Sequence, residues 1–210
     1  MPVGITVEDI VFSELALVDR PDHAAVLGRI FTSWSLIEGC ITAILGLMMH
    51  TNHLAALALL ESFKTNNSRV NAVRKIGAKM LDASLTHDFD KLMGDVLSYA
   101  RERNNIAHGL WGAHKANPDL VYRMPMAAMS KFAIESPGNI NNHNVDAIME
   151  AFKNDIQEFT LNDLEELEKR GRLILQRVMK ETTKKLYSRA AQNISSYSIK
   201  SYYADVLVRN

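Results

Sequence analysis

The chain has 210 residues, 47% of them hydrophobic and 23% charged, with 24 basic and 24 acidic side chains and a formal net charge of zero. That balance is ordinary for a globular protein and argues against a uniformly basic nucleic-acid binder, while leaving room for a local basic surface. Cys40 is the only cysteine, which excludes an internal disulfide and fits a reducing compartment.

One domain is the simplest reading of this length. Residues 1–10 lack the basic start and apolar core of a secretory signal. The most apolar run, residues 36–49, contains Glu38 and is shorter than the roughly 20 residues a bilayer requires. It is expected to be a buried helix, and a cytoplasmic location without membrane association follows as the default.

Residues 3–18 mix apolar positions with Glu8, Asp9 and Glu14 and fix no element. Pro21 suits the first position of a helix, and Asp22 the positive end of its dipole. From there to His50, Leu27, Ile30, Phe31, Trp34, Ile37, Ile41, Ile44, Leu45 and Met48 recur at steps of three and four. The second half of this helix is apolar over a wide arc, as in the middle of a bundle or at an oligomer interface. Thr51 or Asn52 can cap a second helix over residues 53–63, and Thr65-Asn66-Asn67-Ser68 makes a polar break with capping residues. A third helix is expected over residues 69–85, with Val70, Val73, Ile76, Met80 and Leu81 on one face. A fourth is expected over residues 88–108, with Phe89, Leu92, Val96, Tyr99, Ala100 and Arg103 along one stripe. Gly109 suits the left-handed position that closes a helix.

Beyond Gly109 the texture changes. Residues 110–114 and 120–124 flank the turn-rich Lys115-Ala116-Asn117-Pro118-Asp119, which predicts a short hairpin. Pro125, Pro137-Gly138 and the Asn-rich residues 139–144 mark an irregular excursion. Helices are expected over residues 145–159 and 161–191, the second with Leu164, Leu167, Leu173, Ile174, Val178 and Leu186 on its apolar side. Residues 193–210 read as a tail or a docking arm. The expected fold is mainly α, an antiparallel helical bundle with a small β-hairpin insertion. Its single domain spans residues 1–210: a motif-bearing core over 21–111, the hairpin and irregular insertion over 112–144, and C-terminal helices and tail over 145–210.

The chemistry concentrates in Arg101-Glu102-Arg103-Asn104-Asn105-Ile106-Ala107-His108-Gly109-Leu110-Trp111, at the predicted end of the fourth helix. Arginine is always cationic and grips phosphate bidentately. Histidine is the side chain best placed to move a proton near neutral pH. Together they can bind or cleave a phosphodiester without a metal or other cofactor. Five helical steps of about 100° set Arg103 and His108 roughly 140° apart on a continuous helix. They can converge only if the helix ends near His108 and its ring swings back. Arg101 is a second candidate cation, and Asn104 and Asn105 can donate to phosphate oxygens.

The run Arg103-Asn104-Asn105-Ile106-Ala107-His108-Gly109 resembles the hallmark of the HEPN superfamily: an arginine, four to six residues, then a histidine, with a polar residue directly after the arginine. Trp34-Ser35-Leu36-Ile37-Glu38 on an early helix is also similar to family members. The likeness covers about residues 21–111 and can extend to the last long helix, whereas the hairpin and the Asn-rich segment have no assignable counterpart. It implies a two-fold homodimer whose two motifs face one cleft. It also implies a metal-independent endoribonuclease, of the kind used as toxins or in antiviral and phage defence, or a non-catalytic relative that binds a protein or nucleotide. By this likeness His108 is the general base or acid, Arg103 stabilises the pentacoordinate phosphate, and Asn104 orients the phosphate or the histidine. The products are a 2′,3′-cyclic phosphate and a 5′-hydroxyl. RNA and an antitoxin or another protein are the implied partners.

Plainer explanations compete. Cations near a helix C-terminus complement its dipole, so Arg101, Arg103 and His108 can simply stabilise the helix. Glu38 interrupts an apolar run and, if buried, needs a cation or hydrogen bonds; Arg103 is the candidate partner. His50 and His53 have a spacing that helical metal ligands use, but no acidic or cysteine partner lies nearby in sequence, so no metal is assigned. Cys40 has nothing near it to lower its pKa. His114 and His143 fall in irregular stretches and are expected to be exposed, and Met124, Met126 and Met129 form a flexible apolar cluster. Residues 169–189 carry a net charge of +7 and follow the acidic residues 161–168. That order suits the helix dipole; it also suits an RNA-backbone track in which Lys184 and Lys185 take part.

Overall fold

Helix α1, Pro21–Met48, is the element around which the others gather. In the computed structural model, which describes residues 10–114, 116–128, 130 and 154–182, it touches four further helices. These are α2 (His53–Glu61), α3 (Asn66–Met80), α4 (Ala83–Ala107) and α5 (Leu161–Arg177). Pro21 starts α1 because the first helical N–H has no partner to lose. The three- and four-step apolar positions Val26, Ile30, Trp34, Ile37, Ile41 and Ile44 are all buried. By length and hydropathy α1 would qualify as a membrane span, yet half of its most apolar 18-residue window is buried inside the fold.

Local signals set the next boundaries. His50 takes a left-handed conformation (φ 51°) beyond the end of α1. Asn52 then accepts the Ala55 N–H at 2.8 Å and starts α2. Thr65 caps the Ser68 N–H at 3.1 Å, so α3 begins at Asn66, three residues earlier than expected. It also ends earlier, at Met80. Leu81 is extended (ψ 151°), and α4 opens at Ala83 after Asp82. The expected run through residue 85 fails because the Leu81 carbonyl turns to the Thr86 hydroxyl instead of a helical N–H.

Two glycines let helices approach closely. Gly77 of α3 lies against the ring of Phe89 on α4, and Gly171 of α5 against the phenol of Tyr99. Tyr99 is fully buried, donates to the Ile30 carbonyl at 3.2 Å, and has its pKa pushed up to about 12, chiefly by burial. A Cβ on Gly171 would run into the Tyr99 hydroxyl oxygen and stand 2.5 Å from its Cζ. Gly171→Ala is therefore expected to destabilise the fold by about 1–2 kcal/mol through overpacking. Chemical denaturation measures this, and an unchanged midpoint would show that the contact relaxes freely.

The predicted hairpin exists as β2 (Gly109–His114) and β3 (Asn117–Pro125), but it is not an isolated insertion. β1 (Ile10–Phe12) and β4 (Gln157–Thr160) flank it in a four-stranded antiparallel sheet of order β1-β2-β3-β4. Ile10 pairs with His114, and Tyr122 with Glu158. Residues 157–159, expected to end a helix, are therefore strand: their backbone groups bond to β3. Of the helix expected over 145–159, residues 145–153 lie outside the described residues.

Strand alternation gives the sheet two apolar faces. Val121, with Trp111 and Phe159 packed beside it, joins the helical core. Tyr122 and Met124 join a second cluster with Ile10, Ala128 and Ile156. A capping box between Thr160 and Asp163 turns β4 directly into α5. Hydrogen bonding to Thr160 also holds the Asp163 carboxyl below its ordinary pKa. The long helix expected over 161–191 is α-helical to Arg177 and continues as a π-helical turn over Val178–Thr182. The remainder lies outside the described residues. Among those that are described, the chain is mainly helical with a small antiparallel sheet.

Candidate functional site

Arg103 lies on the inward stripe of α4, four residues beyond buried Tyr99 and seven beyond buried Val96. The stripe faces α1, so the guanidinium is carried onto aromatic rings. Its central carbon stands 5.2 Å from the Phe31 ring centroid and 6.0 Å from that of Trp34. Nη1 donates to Asn104 Oδ1 at 3.1 Å, while Nε is buried with no hydrogen-bond partner. A cation held on ring faces loses less by leaving water than one in an aliphatic pocket. Arg103 is thus partly desolvated, oriented, and still in possession of unused donors.

Glu38 belongs to the same cluster, with a changed pairing. The carboxylate meets Arg69 of α3, Nη1 to Oε1 at 3.9 Å, one turn of α1 beyond Trp34. Arg103, expected to be its ion-pair partner, acts on it as a nearby positive charge. Burial raises the Glu38 carboxyl above its ordinary pKa; Arg103, then Arg69, then the Trp34 side chain offset part of that rise.

His108 is the residue at which α4 ends (φ −108°, ψ 67°), and its N–H still bonds to the Asn104 carbonyl at 3.1 Å. Its side chain is exposed and is given no hydrogen bond among the described residues. The helix does stop here, as convergence with Arg103 requires, but among the described residues no hydrogen bond joins the two side chains. Arg103 turns inward onto α1 and His108 stands at the surface.

The expected role of Gly109 is corrected. It is not a left-handed cap; it is the first residue of β2. Its missing Cβ makes space for Arg123 of β3, whose Nε and Cγ would lie 2.6 and 2.8 Å from such an atom. Arg123 is 4% exposed and donates to the His108 carbonyl at 2.9 Å and to Gln157 Oε1 at 2.8 Å. Burial lowers its pKa. The Met126 N–H also reaches the His108 carbonyl at 3.5 Å. The main chain under the imidazole is thus fixed from the sheet. No sequence signal distinguished Arg123, because its burial arises only when β3 is covered on both sides.

The other candidates scatter. Asn104 sits beside Arg103, whereas Arg101 and Asn105 are exposed off the buried stripe. Lys184 and Lys185 lie outside the described residues. In the described part of the basic segment four of the five cations are paired, Arg170 with Glu102 at 2.6 Å, Arg172 with Glu168 at 3.2 Å, Arg177 with Asp95 at 2.5 Å and Lys169 with Glu166 at 3.3 Å, while Lys180 is exposed. The pairs with Glu102 and Asp95 tie α5 to α4, the other two lie within α5, and together they weaken the idea of a free basic track there. His114, expected to be exposed, is 8% exposed in β2; its Nδ1 accepts the Ala116 N–H at 3.1 Å and its carbonyl accepts from Arg20. His143 lies outside the described residues.

Among the described residues no three His, Cys, Asp or Glu side chains gather in a way that could hold a metal ion. A cavity of about 350 Å³ opens between the N-termini of α1 and α5, lined by Arg20, His23, Asp119 and Asn162 among others. It includes no motif residue. Burial raises the Cys40 thiol pKa, which disfavours the reactive thiolate. Comparisons of the chain with protein-family models, with curated proteins and with solved structures gave no match.

Proposed function

We propose that this protein is a HEPN-like, metal-independent endoribonuclease with an antiparallel helical-bundle core, acting as a homodimer. The single observation that carries the reading is the state of the two motif side chains. Arg103 is oriented and keeps unused donors. His108 is exposed on a backbone anchored from two directions. Phosphodiester transfer needs a fixed cation and a free proton carrier.

In this mechanism His108 takes the proton from the RNA 2′-hydroxyl. The 2′-oxygen attacks phosphorus, and the bond to the 5′-oxygen breaks. The leaving oxygen takes up a proton from the His108 imidazolium of either copy or from water, giving a 2′,3′-cyclic phosphate and a 5′-hydroxyl. Arg103 and Asn104 carry the extra negative charge on the pentacoordinate phosphate. Within one chain Arg103 rests on Phe31 and Trp34 while His108 is exposed, so the reading has two copies assemble the cleft. A cytoplasmic toxin or antiviral effector, held in check by an antitoxin, is the setting that goes with it.

The test is cleavage of varied RNAs by purified protein, with the 3′ ends analysed for cyclic phosphate. Arg103→Gln is expected to lower the rate by about 10²–10³-fold, the scale for losing one preorganised donor to a transition-state oxyanion. Intact RNA under all conditions, with and without partner proteins, would remove the nuclease reading. A second reading has its own support. Arg103 is half-buried on Phe31 and Trp34, as a helix-packing cation would be. That favours a non-catalytic helical module binding a protein or nucleotide.

A further inference from the structure

The Arg103 cluster contains a second guanidinium that the motif does not include. Arg69 is the fourth residue of α3. Its Nε donates to the Phe63 carbonyl at 3.2 Å, which fixes the root of the group. Its Nη1 faces Glu38, and its side chain remains 34% exposed. Arg103 approaches from α4, its guanidinium 6.0 Å from the ring centroid of Trp34, one turn of α1 before Glu38. Two cations therefore share one anion.

The neighbouring acids do not restore the balance. Glu102 is held by both Nη groups of Arg170, at 2.6 and 2.9 Å. Glu168 is held by Arg172. The hydrogen-bond partner of Arg103 is the neutral amide of Asn104. Among the described residues one positive charge is left over in a partly desolvated place, and such a charge favours an anion.

We propose that Arg69 and Arg103 together grip the phosphate backbone of single-stranded RNA, and that Glu38 is an internal anion which the RNA displaces. This rests on the phosphodiester reading of the motif and adds a residue to it. It also gives Glu38 a definite sign of action. As a competitor it opposes binding, whereas as a mere anchor for the arginines it would favour binding.

The experiment is fluorescence anisotropy of an end-labelled, short single-stranded RNA, titrated with full-length protein at several KCl concentrations. A His108→Ala background prevents loss of the probe by cleavage. Arg69→Gln is expected to weaken binding whatever the sequence and to reduce the log–log salt slope by about 0.7, the value for one phosphate contact on a single strand. Arg69→Lys, which keeps the charge, is expected to retain the slope. Glu38→Gln is expected to tighten binding by about tenfold, the scale of one charged hydrogen-bond contact. Unfolding curves for each variant establish that it is folded.

Unchanged affinity and slope in Arg69→Gln, or weaker binding in folded Glu38→Gln, would overturn the proposal. Cleavage by the parent protein is measured separately. RNA that is cut, yet bound equally well by Arg69→Gln, defeats this inference alone. RNA that is bound with the expected variant effects but never cut defeats the nuclease reading alone.

Discussion

His108→Ala is expected to reduce RNA cleavage by about 10²–10⁴-fold, the range for losing a positioned general acid–base, with little change in stability. The second half of that expectation comes from the structure. The imidazole is exposed, so its removal leaves no cavity. The hydrogen bonds at this residue run through its main chain: its N–H to Asn104, its carbonyl from Arg123 and Met126. Alanine keeps all of them. Exposed substitutions of this kind usually stay within about 0.5 kcal/mol, so lost activity would report the ring itself. Cells expressing the parent chain should stop growing while cells expressing the variant continue. Equal cleavage by the two purified proteins would leave the imidazole without a catalytic role.

Gly109→Ala is expected to destabilise the fold by about 2–3 kcal/mol, in the range for overpacking a filled site. It should also impair cleavage beyond what the lost stability explains. The new methyl would meet Arg123 at Nε and Cγ and the Met124 carbonyl at 2.9 Å. The carbonyl is backbone paired with β2, and Arg123 is buried with its Nη groups engaged on both sides. Neither can move without cost. Moving Arg123 releases the His108 carbonyl, so the strain passes directly to the end of α4. Thermal unfolding checks the stability, and cleavage assayed well below the melting temperature checks the site. A variant as stable and as active as the parent would show that Arg123 does not hold His108 in place.

Arg103 illustrates how much of the site was legible. Its place on the Val96–Tyr99–Arg103 stripe follows from helical spacing alone, and that spacing already directs it inward. What it meets there was not legible. Glu38 was the obvious partner by charge, yet the guanidinium rests on Phe31 and Trp34 while Arg69 stands 3.9 Å from the carboxylate. Arg69 carries no motif signal; only the packing of α3 beside α1 brings it to Glu38. The basic segment after residue 168 shows the same limit. Its charge can be counted from the sequence, but its pairing with Asp95 and Glu102 depends on α4 lying alongside.

Local interactions were written in the chain. The spacing of α1 and α4, Pro21 at a helix start, Asn52 and Thr65 as caps, and the β2–β3 hairpin each depend on residues a few positions apart. The tertiary structure alone decided that Ile10 pairs with His114, that Phe159 is strand instead of helix, and that Gly109 makes room for an arginine. Those outcomes depend on groups brought together from distant positions. Backbone hydrogen bonds between such segments are indifferent to side-chain identity, so they leave no periodic mark to read.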